Sequence, residues 1–148
     1  MDPYLLKQPL HRDFHYTLSL IIDFLEENYG KEEMDSMMKK VSSVIYSPLI
    51  KEINEVGLRA MEKHIIELMD LEGGEYSIER NNDSSITIKI SKCPAIDYMK
   101  NKNMKISKHF CHISTELSSN EIAKKAGYKF SVDYDQEKGQ CIQKLWKE

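Results

Sequence analysis

Residues 73–94 read GGEYSIERNNDSSITIKISKCP, and this stretch decides the fold class. Tyr76 and Ile78, then Ile86, Ile88 and Ile90, fall on alternate positions with polar residues between them. Side chains of an extended strand alternate between two faces, so this spacing builds one apolar sheet face. Asn81-Asn82-Asp83-Ser84 separates the two runs with residues that favour turns. The reading is a hairpin of Glu75 to Arg80 and Ser85 to Ser91. Gly73-Gly74 ends whatever precedes it, and Cys93-Pro94 opens whatever follows.

Upstream the apolar period is helical. Phe14, Leu18, Ile21, Ile22, Leu25 and Tyr29 predict a helix from Asp13 to Tyr29, stopped by Gly30. A second, from about Glu32 to Tyr46, turns Met34, Met37, Met38, Val41, Val44 and Ile45 inward. Ser47-Pro48 reads as an N-cap followed by the first helical residue of a short helix carrying Leu49, Ile50 and Ile53. Leu58 to about Leu71 is a further helix, presenting Leu58, Met61, Ile65, Leu68 and Met69. Downstream, Ala95 to about Asn101 is helical, as is the text after His109-Phe110-Cys111-His112 as far as Ala126. The latter contains Ser118-Ser119-Asn120-Glu121, the spacing of a capping box. Tyr128, Phe130, Val132 and Tyr134 alternate as a third strand, and Gln140 to Trp146 forms a fourth. The expected architecture is α+β: a helical N-terminal half packed on a roughly four-stranded antiparallel sheet, with a helical crossover inside the sheet.

The chain of 148 residues is the size of one domain, with a helical part over 10–72 and a sheet-containing part over 73–148. Apolar residues make up 41% of it, enough to build a core, so a disordered tail is excluded. A net charge of -3 argues against a general nucleic-acid binder, which carries a basic excess. No apolar run approaches the roughly 20 residues of a membrane span, and no secretion signal opens the chain, so a cytoplasmic protein is expected. A homodimer is the default assembly.

The chemistry concentrates in sulfur and imidazole. If Pro94 is the first helical residue, Cys93 is the N-cap, beside free backbone N–H groups and the positive end of the helix dipole. A thiol so placed has a lowered pKa and serves as nucleophile or metal ligand. The plainer alternative is a buried cysteine that ends a strand. Cys111 has His109 and His112 as near neighbours, and Cys141 starts the last strand. The three cysteines lack the paired spacing of a zinc knuckle, yet each lies where an element begins. They read either as one site or as three separate core residues. His11-Arg12-Asp13-Phe14-His15 is the other dense cluster: His11 and His15 share a helical face, Arg12 offers a planar fork for a carboxylate, and Asp13 can cap the helix. His15 also lies on the apolar stripe, where a core role explains it. His64 reads as surface.

Taken together, Leu10-His11-Arg12-Asp13-Phe14-His15, Ser47-Pro48-Leu49-Ile50, Leu71-Glu72-Gly73-Gly74, Lys92-Cys93-Pro94-Ala95, Phe110-Cys111, Ala126-Gly127-Tyr128 and Gly139-Gln140-Cys141 resemble the small bacterial proteins grouped with the L-2-amino-thiazoline-4-carboxylic acid hydrolases. The resemblance runs from about Leu10 to Trp146. It implies hydrolytic opening of a cyclic amidine, turning a small carboxylated heterocycle into a carbamoyl amino acid. Such chemistry requires a nucleophile, a proton donor and a carboxylate anchor. The residues available are Cys93 or Cys111 as nucleophile and His15 or His112 as acid and base. Arg12, with His11, or the N–H groups after Cys93 would hold the carboxylate. A divalent metal such as zinc or manganese, held by Cys93, Cys111, Cys141 and His112, would serve equally by delivering hydroxide. The order of helices before sheet also resembles vinyl-reductase-like sensor domains, which implies a non-catalytic small-ligand- or metal-binding module instead. A structural or partner-binding domain, tolerant of serine at all three cysteines, is the remaining expectation.

Overall fold

Gly30 breaks the first long helical run, as its place in the sequence predicts. The helix α1 spans Asp13–Ile45, but Gly30 has φ 83° and ψ 164°, so its two halves meet at a kink. In this computed structural model, which describes residues 12–147, α1 is followed by α2 (Ser47–Val56), α3 (Arg59–Glu72), β1 (Glu75–Asn81) and β2 (Ser85–Lys92). Next come α4 (Pro94–Asn101), a π-helical segment (His112–Leu117), α5 (Ser118–Lys125), β3 (Lys129–Asp135) and β4 (Gln140–Trp146).

The sheet has the order β1-β2-β4-β3, and every neighbouring pair is antiparallel. The chain leaves β2 through the helices, returns as the far edge strand β3, and folds back as β4 into the gap. The expected helical crossover is therefore present, and the fold is α+β. The alternation read in β2 sends Ile86, Ile88 and Ile90 inward, together with Leu145 of β4. They pack on Leu49 and Ile53 of α2, Met61, Ile65 and Met69 of α3, and Ile122 of α5. A second cluster joins Ile22, Met34 and Met38 of α1 to Ile96, Met99, Phe110, Ile113 and Leu117. Each fully buried side chain of this kind contributes about 1.5–3 kcal/mol relative to exposure. Cys93 packs against both clusters and stands at their junction.

Two local expectations fail for tertiary reasons. In the second half of α1 the buried line is Met34, Met38 and Ser42, whereas Val41, Val44 and Ile45 are exposed. A small hydroxyl is required there because α1 crosses close to α5, and Ser42 Oγ meets Ser118 Oγ at 2.8 Å. The same contact disables the capping box. Ser118 continues a helix already under way, and its hydroxyl donates to the Ile113 carbonyl at 2.9 Å. Among the described residues no helix is long and apolar enough to cross a membrane.

Candidate functional site

The three cysteines, from three separate parts of the sequence, line one cavity of about 120 Å³. Cys93 follows β2 in an extended conformation (φ -75°, ψ 121°) and is the N-cap of α4 with Pro94 after it, as the sequence predicts. Its N–H donates to the Gly139 carbonyl at 2.8 Å and draws the turn before β4 against it. Gly139 has φ 65°, and a Cβ there would come within 3.1 Å of Ile96 Cγ2, so glycine is favoured at this approach. Two residues on, Cys141 pairs with Ile90 across β2 and β4 and so shares its inward face.

Cys111 enters by another route. Its N–H donates to Gln136 Oε1 at 2.9 Å, while Gln136 Nε2 donates to the Ser107 carbonyl at 2.8 Å. Gln136 thereby ties the β3–β4 turn to the loop that carries Cys111. The π-helical segment follows, with its wider turn, and Ser114, Thr115 and Ser118 line the cavity there. Such segments are rare and concentrate at functional sites. On the sheet side, Ser119 Oγ donates to Gln143 Oε1 at 3.2 Å, and Gln143 Nε2 donates to Cys141 Sγ at 3.6 Å.

Burial overturns the expected charge of Cys93. Desolvation pushes its pKa above the ordinary value, with Glu72 and Asp97 adding to the rise. The N–H groups of Ile96 and Ala95 pull the other way, as the helix-end argument requires, but make no capping hydrogen bond and do not prevail. Cys141 is likewise raised, by burial and then by Cys93, against the opposing Gln143 donor. Cys111 has no such donor, and burial, with Cys93 and Cys141, pushes it up to about 12. All three thiols are neutral at rest.

The other residues picked out by sequence lie elsewhere. His15 is buried, and its Nε2 is 2.6 Å from Oε1 of the equally buried Glu72; it does not line the cavity. His112 is engaged at both nitrogens, by Glu116 at 2.8 Å and Asp35 at 3.0 Å. It faces α1 and is not an acid or base of the cysteine cavity. Arg12 precedes α1 and is absent from the cavity wall, so it does not anchor a ligand there. Asp13 accepts a hydrogen bond from the Tyr98 hydroxyl at 2.8 Å and lies inside the first turn, not at the cap. His11 lies outside the described residues. Among the described residues no three His, Cys, Asp or Glu side chains are grouped so as to hold a metal ion. The expected ligand set of Cys93, Cys111, Cys141 and His112 is divided: the three sulfurs line the cavity, whereas His112 does not and engages Glu116 and Asp35.

The imidazole that does line the cavity is His64, which the sequence reading placed on the surface. It is half-buried on α3, with its ring edge-on to Tyr46 and the centroids 6.2 Å apart. Burial lowers its pKa, against the opposing charges of Glu67 and Glu52, so the neutral imidazole predominates at pH 7. Its position four residues after Ala60 and before Leu68, on the helix face next to Met61 and Ile65, was the one available signal. The cavity therefore combines neutral thiols, serine and threonine hydroxyls, the amides of Gln140 and Gln143 and one neutral imidazole, and among the described residues no Lys or Arg lines it.

No family model matches the sequence, and no curated protein is similar to it. Among solved structures, the chain is similar to the crystal structure of the Fe(II) unliganded H-NOX protein from K. algicida, at 13% identity and a TM-score of 0.46 over 93% of this chain and 97% of that one. A mutant of the same protein aligns at 10% identity and a TM-score of 0.34, over 93% of this chain and 63% of that one. Likenesses at this level define neither a family nor a ligand for the chain.

Proposed function

We propose that the protein is a small hydrolase that opens a carboxylated cyclic amidine at the three-cysteine cavity. The observation that carries this reading is the convergence of Cys93, Cys111 and Cys141 on one partly open cavity. The segments bearing them are among those that resemble the aminothiazoline carboxylate hydrolases. The volume of about 120 Å³ suits a single small ring. A dry cavity of about 150 Å³ accommodates benzene.

Cys93 is the preferred nucleophile, because backbone N–H groups favour its thiolate where Cys111 has no comparable donor. His64 accepts the Cys93 proton as Sγ attacks the amidine carbon. The ring C–S bond breaks, and the leaving sulfur takes the proton back from His64. Water then cleaves the new S–C bond, which returns the Cys93 thiol and releases the carbamoyl amino acid. Hydroxyls of Ser114 and Thr115 are the donors available to a substrate carboxylate, since that of Ser118 is committed to the Ile113 carbonyl.

A second reading, a non-catalytic small-ligand-binding module, is favoured by the raised thiol pKa values and by the lack, among the described residues, of a Lys or Arg on the cavity wall. Incubation with 2-aminothiazoline-4-carboxylate separates the two. The hydrolase releases one new thiol per turnover in a colorimetric assay, and Cys93→Ser reduces this to background. No release from folded protein, with or without zinc or manganese, removes the hydrolase. A ligand-dependent rise in melting temperature would then favour the module.

A further inference from the structure

Tyr46 and His64 line the cysteine cavity and also an open groove of about 380 Å³ formed where the end of α1 meets α2 and α3. Their rings meet at 88°, edge to face. Among the described residues neither the Tyr46 hydroxyl nor the His64 ring makes a hydrogen bond, so packing alone holds this wall. Both side chains are only half-buried, which leaves them room to change rotamer. Cys111, by contrast, is buried and faces the inner space.

We infer that Tyr46 and His64 form the gate through which a compact ligand passes from the outer groove to the three thiols, and that this pair sets the size of what the thiols meet. The ligand class is a small, uncharged or internally balanced ring, because among the described residues the inner wall offers thiols, hydroxyls and amides but no Lys or Arg. The inference rests on the cavity being the ligand site of the proposed hydrolysis, but its test requires no turnover.

The test measures modification of Cys111 in the folded full-length chain by N-ethylmaleimide and by a bulky fluorescein maleimide, read by peptide mass spectrometry. Cys111 is the reporter because Cys141 also borders a shallow space on the sheet. A change in thiol pKa alters both rates alike, so the bulky-to-small ratio isolates passage. His64→Ala and Tyr46→Ala are expected to raise that ratio by about five- to tenfold, the population ratio set by an edge-on aromatic pair. Tyr46→Phe leaves it unchanged, and His64→Trp lowers it. Ile86→Val, a mild destabilisation of the sheet core away from the cavity wall and from Cys111, controls for global opening and leaves the ratio as it was. The gate is overturned if neither alanine variant moves the ratio, or if Ile86→Val moves it equally. Should an alanine variant fail to fold, the His64→Trp decrease decides alone. A shifted ratio without thiol release from the aminothiazoline keeps the gate and removes the hydrolase. Release with an unshifted ratio does the reverse.

Discussion

Removing Glu72 strips a buried polar group of its partner. His15 and Glu72 are 8% and 5% exposed, and their side chains meet at 2.6 Å across the interface between α1 and α3. The rings of Phe14 and Tyr98 flank His15 with centroids 4.0 and 6.5 Å away, so water has little room to replace the lost acceptor. Breaking such a pair from one side destabilises by about 3–5 kcal/mol. With a urea m-value of about 2 kcal/mol/M, Glu72→Ala lowers the unfolding midpoint by roughly 1.5–2.5 M. Replacing both partners with apolar residues of similar volume, His15→Leu with Glu72→Met, is close to neutral. The double variant is therefore expected within about 1 kcal/mol of the parent, since volume-conserving swaps are tolerated. Equilibrium urea unfolding of the parent, His15→Leu, Glu72→Met and the double variant at pH 7, followed by circular dichroism, completes the cycle, with Glu72→Ala measured alongside. The reasoning fails if Glu72→Ala moves the midpoint no more than a surface change of about 0.5 kcal/mol. It fails equally if the two substitutions add to within about 0.5 kcal/mol, which would mean that the pair is not coupled.

Two further outcomes follow from the same geometry. The folded state keeps the Cys111 proton up to about pH 12, whereas an unfolded chain releases it near 9. The stability contributed by the neutral thiol is thus complete below pH 9 and declines between 9 and 12, by at most about 1.4 kcal/mol per pH unit. Urea midpoints at pH 8 and 10.5 should fall further for the parent than for Cys111→Ala, and equal falls would show that Cys111 is not the group responsible. Gly57 ends α2 at φ 81° with the Asp83 carboxylate packed directly over it. Gly57→Ala therefore destabilises by about 1–3 kcal/mol through backbone strain and collision. Adding Asp83→Ala restores part of the loss in thermal melts; no recovery would leave backbone strain as the whole effect.

The sequence by itself determined the elements. The period-two run through Ile86, Ile88 and Ile90 sets β2 and its buried face, glycines 30, 57 and 73 end helices, and Cys93-Pro94 starts one. These features depend on neighbours a few residues away, through side-chain alternation, backbone dihedral freedom and missing donors, so local text suffices. What only the tertiary structure decided is which groups share a space and how far they are from water. Ser42 is buried in place of Val44 because a neighbouring helix passes there, His64 borders the cavity because α3 faces it, and Glu72 is buried because His15 meets it. The protonation of Cys93 belongs to the same class. Its helix-end donors are local and readable, but the desolvation that outweighs them comes from side chains brought in by both hydrophobic clusters. Solvent exclusion is a property of the packed assembly, and no short span of residues encodes it.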